Sequence, residues 1–356
     1  MSRQDNDLTE ELRQRVLDAY AGGRPLSIVG SGSKSFYGRR VDAMPLAVSG
    51  HRGMLSHEPT ELVFTARAGT TLAEIEAALS ECGQMLPFEP PHHGPGATLG
   101  GAVASGLSGP RRPYTGAVRD FVLGCKLLNG KAEILSFGGR VMKNVAGFDV
   151  SRLMAGALGT LGVLLEVSMK VLPKPECEAT LAFDLAPDEG LEVLNRWALQ
   201  SWPLSGACHD GYRLCIRLSG ADCTIRAAGQ KLGGETLAEG ERFWADLREQ
   251  RLSFFHGDGN LWRLSSAPAS PMPKLPGEWL TDWGGALRWL KTEAPAESVF
   301  QAAQAMGSHA TLFRTNTSAK QVFQPLTPPL KALHMNLKRV FDPAGIFNPG
   351  RMYKDF

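Results

Sequence analysis

The 356-residue sequence has no hydrophobic run long enough to cross a bilayer as a helix. Its longest weakly polar stretch, Leu153 to Leu165, is too short and too rich in glycine, and Glu166 ends it. The opening residues, MSRQDNDLTEELRQRVLDAY, lack the apolar core of a signal peptide, so none is expected. Any membrane contact is therefore expected to be peripheral. The six cysteines form no CxxC pair, which excludes the usual iron–sulfur and structural zinc frameworks. They suit a reducing cytoplasm and read as small buried hydrophobes. The net charge is only +2, with no basic run and no basic stripe interleaved with aromatics, so no nucleic-acid partner is expected. If such a chain handles electrons, it has no cluster of its own to receive them.

What the sequence does have is glycine, 40 residues of it, in a composition otherwise ordinary for a soluble globular protein of two or three domains. Gly94 to Gly109, GPGATLGGAVASGLSG, carries six glycines in sixteen residues. With so little side chain, backbone N–H groups stay uncovered and φ can turn positive. Such a run can wrap a phosphate in a nest of amides, or it can pack a loop tightly on a sheet.

A second glycine loop, Gly30-Ser31-Gly32-Ser33-Lys34-Ser35, follows a short strand expected over Pro25 to Val29. It is not a Rossmann fingerprint. Phe36 to Pro45 has no helical periodicity and carries Gly38 and Pro45. No acidic residue stands about 20 positions on at a strand end to hold a ribose. Any anion held by this loop would sit in a strand-to-strand turn.

Around these loops the periodicity predicts an amphipathic helix over Asp7 to Tyr20, stopped by Gly22 and Gly23. A strand is expected over Leu62 to Ala68, then a capping box at Thr71 to Glu74 opening a helix to Cys82. Asn129-Gly130 predicts a type I′ hairpin between Phe121–Leu128 and Lys131–Phe137. Leu161 to Pro173 alternates as a half-buried strand. Beyond Glu178, strands are expected at 180–185, 214–218, 261–264, 286–291 and 311–314. Helices are expected at 188–200, 221–231, 241–252 and 296–306. Together these predict an antiparallel sheet with helices on one face.

The ordered set GSGS, ATLGGAVASGLSG, VRDFVLGCKLLNG and KNVAGFDVSRLMAGALGTLGVLLEVSMKVLPKP resembles the FAD-binding domain of the vanillyl-alcohol oxidase (PCMH) type. The closing Phe341-Asp342-Pro343-Ala344-Gly345-Ile346-Phe347-Asn348-Pro349-Gly350-Arg351 is similar to the end of the same family. Lys143-Asn144-Val145-Ala146-Gly147-Phe148-Asp149 and Asp282-Trp283-Gly284-Gly285-Ala286-Leu287-Arg288-Trp289 resemble, more narrowly, the family of smaller FAD-binding subunits of bacterial glycolate oxidase.

The resemblance implies an α+β, non-Rossmann fold. Residues 1–174 would form a two-part FAD-binding domain, divided near residue 50. Residues 175–327 would form a small α+β cap with an antiparallel sheet, and residues 328–356 would return to the FAD domain. It also implies which residues hold FAD. Gly30, Ser31, Gly32, Ser33, Lys34 and Ser35 would hold one side of the pyrophosphate. Ala97, Thr98, Leu99, Gly100 and Gly101 would hold the other, with Ser105 and Gly106 nearby, and Gly162 and Val163 would lie along the flavin and adenine. Many relatives attach FAD through a histidine in the first loop. Ser31, Ser33 and Ser35 stand there instead, which implies non-covalent FAD, while His92 and His93 could reach the flavin or be exposed loop residues.

The cap leaves catalysis open. Arg288 and Arg314 are candidate cations, and His256 and His309 candidate bases, though each such residue is more often a surface or structural one. His256-Gly257-Asp258-Gly259-Asn260-Leu261-Trp262 is similar to a two-histidine metal motif of larger relatives. It is one residue short and ends in Trp262, so it reads as a glycine-rich turn, and no metal is expected. The resemblance implies a complex of this chain with a larger homologous FAD subunit and an iron–sulfur subunit, oxidising a small 2-hydroxy acid. The location implied is cytoplasmic, peripheral on the inner membrane. Within it this chain could oxidise substrate, or serve only as an assembly or electron-relay subunit. A stand-alone FAD-linked alcohol oxidase is a further reading.

Overall fold

The computed structural model describes residues 5–139, 149–316 and 321–356. They form two compact units. The motif residues Lys143 to Phe148 lie outside the described residues.

The first unit comprises the described residues of 1–107, 117–173 and 325–356. Helix α1 (Thr9–Gly22) buries Leu12, Val16 and Ala19 and stops at Gly23, which takes the left-handed conformation with φ 58°. Strand β1 (Leu26–Val29) pairs in parallel with β2 (Met44–Ala47), and the connection between them carries the Gly30–Ser35 loop. A five-stranded antiparallel sheet follows. Its strands are β3 (Met54–Glu58), β4 (Val63–Arg67), β5 (Val122–Leu128), β6 (Ile134–Gly138) and β7 (Val163–Lys170), in the order β3-β4-β7-β5-β6. In β7, Val163, Leu165, Val167 and Met169 are buried while Glu166, Ser168 and Lys170 are half-exposed, as the alternation predicts. Helix α2 (Leu72–Glu81) opens on the expected capping box, with Thr71 Oγ1 accepting from Glu74 N and Glu74 accepting from Thr71 N. Helix α3 (Leu99–Ser105) is the ordered part of the glycine-rich stretch, capped by Thr98.

One turn differs from its expectation. Asn129-Gly130 does not close a two-residue hairpin. The loop runs over residues 129–133, held by Asn129 Oδ1 accepting from both Lys131 N and Glu133 N, and Ala132 rather than Gly130 takes positive φ. The glycine has another cause. A Cβ at Gly130 would stand 2.8 Å from Asp342 Cα, and Gly130 N donates to Phe341 O at 2.8 Å. The loop is a seat for the C-terminal return.

That return is a helix, Pro328–Phe341, and the segment after it. At its end lies a buried ion pair. Lys338 Nζ donates to Asp342 Oδ2 (2.7 Å), Phe347 O (2.7 Å) and Thr160 O (2.8 Å), which uses all three ammonium protons. Asp342 also accepts from Ile346 N and Phe347 N. Phe347 then bridges Leu26 in parallel, so the chain's end forms the outer edge of β1.

The second unit comprises 108–116 and the described residues of 174–324. The expected unbroken run 1–174 is thus interrupted by a nine-residue excursion. It is held by Arg111 donating to Glu178, by Trp283 Nε1 donating to Gly109 O (2.9 Å), and by the Arg112 guanidinium lying 4.3 Å from the Trp283 ring. The unit is an eight-stranded antiparallel sheet. Its strands are β8 (Cys177–Phe183), β9 (Leu204–His209), β10 (Leu214–Gly220), β11 (Glu235–Thr236), β12 (Leu261–Ser265), β13 (Glu278–Asp282), β14 (Leu287–Lys291) and β15 (His309–Arg314). Their order is β11-β8-β10-β9-β13-β14-β12-β15. The sequence patterning gave no strand range for β9, β13 or the short β11.

The helices are not confined to one face, as was expected. Leu181, Ala207 and Ile216 pack with the helices Pro187–Ala198 and Asp222–Leu232. The helix Gly240–Arg248 lies on the other side, where Trp244 Nε1 donates to Thr180 Oγ1 and its ring fills the space over Gly206. Adjacent residues of a strand point to opposite faces, so Leu181 and Thr180 separate the two layers.

Two stability outcomes follow from the first unit. Lys338→Met leaves the Asp342 carboxylate buried without its cation and should destabilise by about 3–5 kcal/mol in urea unfolding; Lys338→Met with Asp342→Leu should recover part of that. His51 is buried, and its Nδ1 accepts from Leu8 N at 3.0 Å. Burial pushes its pKa below the usual histidine value, against the pull of Asp7. The unfolded chain therefore takes up this proton first. The stability His51 confers is complete above about pH 6.5 and is lost as pH falls toward its folded value, by at most about 1.4 kcal/mol per pH unit. Urea midpoints compared above and below that pH should show the loss in the native chain and less of it in His51→Gln.

Candidate functional site

The first unit holds an open cleft of about 1090 Å³, counting its mouth. It is built where three irregular segments meet the end of β1. The first is the loop Gly30–Ser35, which turns away from β1 with Gly32 at φ 78°. Among the described residues, the amides of Gly30, Ser31 and Gly32 find no protein acceptor. The second is α3, which presents Thr98, Gly100, Gly101, Ala104 and Ser105. Its glycines are set by close approach. A Cβ on Gly100 would stand 2.8 Å from Ala68 Cβ, and one on Gly101 3.1 Å from Thr98 Oγ1. The third is Met154 to Leu164, which brings Leu158, Gly159, Gly162 and Val163.

The C-terminal return ties these segments together through Asn348. This buried side chain accepts from Ile28 N at 2.7 Å and donates to Leu158 O at 2.6 Å, while its own amide donates to Leu26 O. Arg351 lines the same cleft and binds the loop's backbone, donating to Lys34 O, Ser35 O, Tyr37 O and Arg39 O. Arg39 answers by donating to Gly350 O and Arg351 O. Burial lowers the Arg351 pKa from its ordinary high value, which leaves an always-charged guanidinium at the wall. With Lys34 it gives the cleft two cations, and no carboxylate is among the lining residues.

The donor set fits a dinucleotide. Free amides and two cations face one region, with no acidic side chain to repel phosphate. Apolar walls of Ile28, Val48, Met154, Leu158 and Leu164 can cover ring systems. Of the residues expected from sequence, Gly30 to Ser35, Thr98, Gly100, Gly101, Ser105, Gly162 and Val163 line this cleft. Ala97, Leu99 and Gly106 do not. Ala97 and Leu99 are fully buried, and Gly106 is the left-handed cap of α3, packed on Gly156. The first amides of α3 are also spent internally. Leu99 N donates to Thr70 O, Gly100 N to Ala68 O and Gly101 N to Thr98 Oγ1. This stretch therefore offers the cleft shape more than donors. Asn348 and Arg351 were missed as lining residues; the only sequence signal was their place in the closing Phe347-Asn348-Pro349-Gly350-Arg351.

His92 and His93 do not line the cleft: His92 Nε2 lies 3.1 Å from Glu76, and His93 packs edge-on against Phe36. In the second unit, Arg288 is fully buried and donates to Gly285 O, Pro271 O and Ser270 O, so it pins a loop and is no free cation. Arg314 donates to Gln250 Oε1. His256 and His309 are exposed. Trp262, at the position of the second motif histidine, is in the core, 5.3 Å from Phe300. Among the described residues the structure does not gather these four candidates into one cluster.

Fold and cleft together define an FAD-dependent oxidoreductase of the PCMH type. A family model described as "FAD binding domain" matches residues 7–138. In fold, the chain is similar to p-cresol methylhydroxylase solved with substrate bound, at a TM-score of 0.74 and 15% identity, covering 96% of this chain and 87% of that one. It is also similar to alkyldihydroxyacetonephosphate synthase, at a TM-score of 0.64 and 14% identity, covering 96% and 74%. In sequence it is 50% identical over 349 residues, 98% of each chain, to glycolate oxidase subunit GlcE of Escherichia coli (strain K12). The chain belongs to the family of glycolate oxidase subunit GlcE. Shorter matches reach glycolate oxidase subunit GlcD of Bacillus subtilis (strain 168), 32% identical over 36% of this chain and 27% of that one. Another reaches the mitochondrial cytochrome D-lactate dehydrogenase of Arabidopsis thaliana, 34% identical over 29% and 18%. No helix among the described residues is long and apolar enough to cross a membrane.

Asn348→Asp tests the junction. It keeps the acceptor for Ile28 N but sets a carboxylate against Leu158 O. Loss of that bond should weaken FAD retention about tenfold, measured by flavin content after dialysis.

Proposed function

We propose that this chain is the smaller flavin-carrying subunit of a complex that oxidises glycolate, and D-lactate, to the 2-oxo acid. It works beside a larger homologous FAD subunit, and electrons pass to an iron–sulfur subunit and the respiratory chain. The complex would sit peripherally on the cytoplasmic face of the inner membrane. The observation that carries this reading is the 50% identity to a glycolate oxidase subunit along 98% of both chains.

Oxidising the carbinol removes a hydride and a hydroxyl proton; bound FAD supplies the hydride acceptor. The chain's own residues would hold that cofactor. Lys34 and Arg351 would balance the pyrophosphate charge, the amides of Gly30, Ser31 and Gly32 would be its donors, and Ile28, Met154, Leu158 and Leu164 would shield its rings from water. Ser31, Ser33 and Ser35 offer no ring nitrogen for attachment, so denaturation should release the flavin free.

A relay role has one observation in its favour. The fully buried Arg288 of the cap is committed to three backbone carbonyls and is not available for a substrate carboxylate. Adding glycolate without oxygen to the purified chain separates the two readings. Prompt bleaching of the flavin absorption would place the chemistry in this chain. Bleaching only after the larger flavin subunit is added would make it a relay, and absence of bound flavin would overturn both.

A further inference from the structure

The second unit carries a motif that the cofactor cleft does not use, Asp282-Trp283-Gly284-Gly285. Trp283, Gly284 and Gly285 follow one another in the left-handed region, at φ 55°, 62° and 101°. That backbone suits glycine but strains a bulky tryptophan, and such strain persists only where the surroundings over-determine it. Here they do. Trp283 N donates to Asp282 Oδ1 at 2.7 Å, the indole Nε1 donates to Gly109 O at 2.9 Å, and the residue is buried. The indole is thus a fixed plate, and two cations lie over it. The guanidinium carbons of Arg112 and Arg263 stand 4.3 Å and 5.1 Å from its centroid.

Both arginines are half-buried, where like charges gathered on one ring are screened less than in water. An anion between them relieves that repulsion. A guanidinium stacked on a ring keeps its N–H donors in its own plane, the geometry that grips a carboxylate. Arg263 also brings a third group. Its neighbours in β12, Trp262 and Leu264, pack with the helix Ala296–Ala305, so Arg263 projects from the opposite face. Pairing of β12 with β15 sets Arg263 opposite Thr311 and Ser265 opposite His309, which makes His309 a diagonal neighbour of Arg263 on that face. His309 is exposed, yet desolvation of its ring and then the Arg263 charge push its pKa below the usual histidine value. A neutral imidazole can accept a hydrogen bond from a hydroxyl. Tyr114 adds a donor: its hydroxyl oxygen stands 3.8 Å from where a Cβ on Gly284 would be, and burial, then the Asp282 charge, raise its pKa and keep it protonated.

We propose that Arg112 and Arg263, stacked on the Trp283 plate, bind the carboxylate of a small 2-hydroxy acid, with His309 accepting the hydrogen of its hydroxyl. The site supplies the cations that Arg288, spent on backbone carbonyls, does not. The carboxylate follows from the two arginines; the 2-hydroxyl rests on the reading of this chain as part of a glycolate-oxidising complex.

The test is calorimetry on the full FAD-loaded chain, with two acids that hydride transfer cannot consume. 2-Hydroxyisobutyrate has the hydroxyl but no hydrogen on its carbinol carbon, and isobutyrate lacks the hydroxyl as well. The native chain should bind both and prefer the first. Arg263→Met keeps an apolar stem over Trp283 and should weaken both acids at least about tenfold, with flavin content unchanged. Arg263→Lys restores the charge and should recover part of the affinity, which a role confined to packing would not give. His309→Ala alters an exposed residue, so it reports even if an arginine variant fails to fold. It should erase the preference for the hydroxy acid and leave isobutyrate affinity within about twofold. Absence of binding by the native chain, or equal affinity in the native chain and Arg263→Met, would overturn the site, and flavin bleaching by glycolate would then leave the oxidase reading standing. Binding that needs Arg263, together with flavin that glycolate never bleaches even beside the larger subunit, would uphold the carboxylate site and overturn that reading.

Discussion

The buried pair of Lys338 and Asp342 is the interaction on which the cleft depends. Charges taken out of water are costly, and this pair persists because every donor and most acceptors are used. Lys338 satisfies carbonyls of two segments distant in sequence, Thr160 and Phe347. Asp342 gathers the amides of Ile346 and Phe347. The turn they make delivers Phe347 to the edge of β1, and Asn348 one residue later to Ile28 and Leu158. An apolar pair of the same size could fill the space, but it would not fix the direction in which the chain leaves the helix.

Within that frame the cleft is shaped mainly by what is missing. Gly100 lets α3 lie against Ala68, Gly159 makes room for the Asn348 amide, and Gly162 makes room for Leu127. Side chains at these points would push the three walls apart. The positive charge then comes from just two places, Lys34 in the loop and Arg351 in the return. Because Arg351 also holds four carbonyls of the segment 34–39, the loop's shape and the cleft's charge are set by one side chain.

Much of this was legible in the sequence. Local signals carried the capping box at Thr71, the alternation of β7 and the glycine stop of α1, because their causes lie within a few residues. The first glycine loop and α3 were recognised as parts of one site through their order along the chain. Contacts far apart in sequence were harder to read. Gly130 was taken for a turn former because nothing local shows that Asp342 packs against it. Ala97, Leu99 and Gly106 share a run with Thr98 and Gly100, but Ala97 and Leu99 are buried in the core and Gly106 is the left-handed cap of α3, packed on Gly156. Arg288 looked like a free cation until the loop at 270–271 proved to cover it. The separation of Thr180 from Leu181 follows from strand geometry, yet the helix that covers Thr180 could not be assigned a side without the sheet order.

The position of Asn348 and Arg351 has a consequence for how the protein comes to exist. Both are structural parts of a cleft whose first lining residue, Ser27, lies more than 300 residues earlier. During synthesis β1, the glycine loop and α3 all emerge long before their closing partner, so the domain cannot close behind the ribosome in the N-terminal-first manner usual for growing chains. Cofactor capture is then a late event, one that waits until the segment carrying Asn348 and Arg351 has been made. Ribosome-bound fragments should carry no flavin however much of their sheet has already formed.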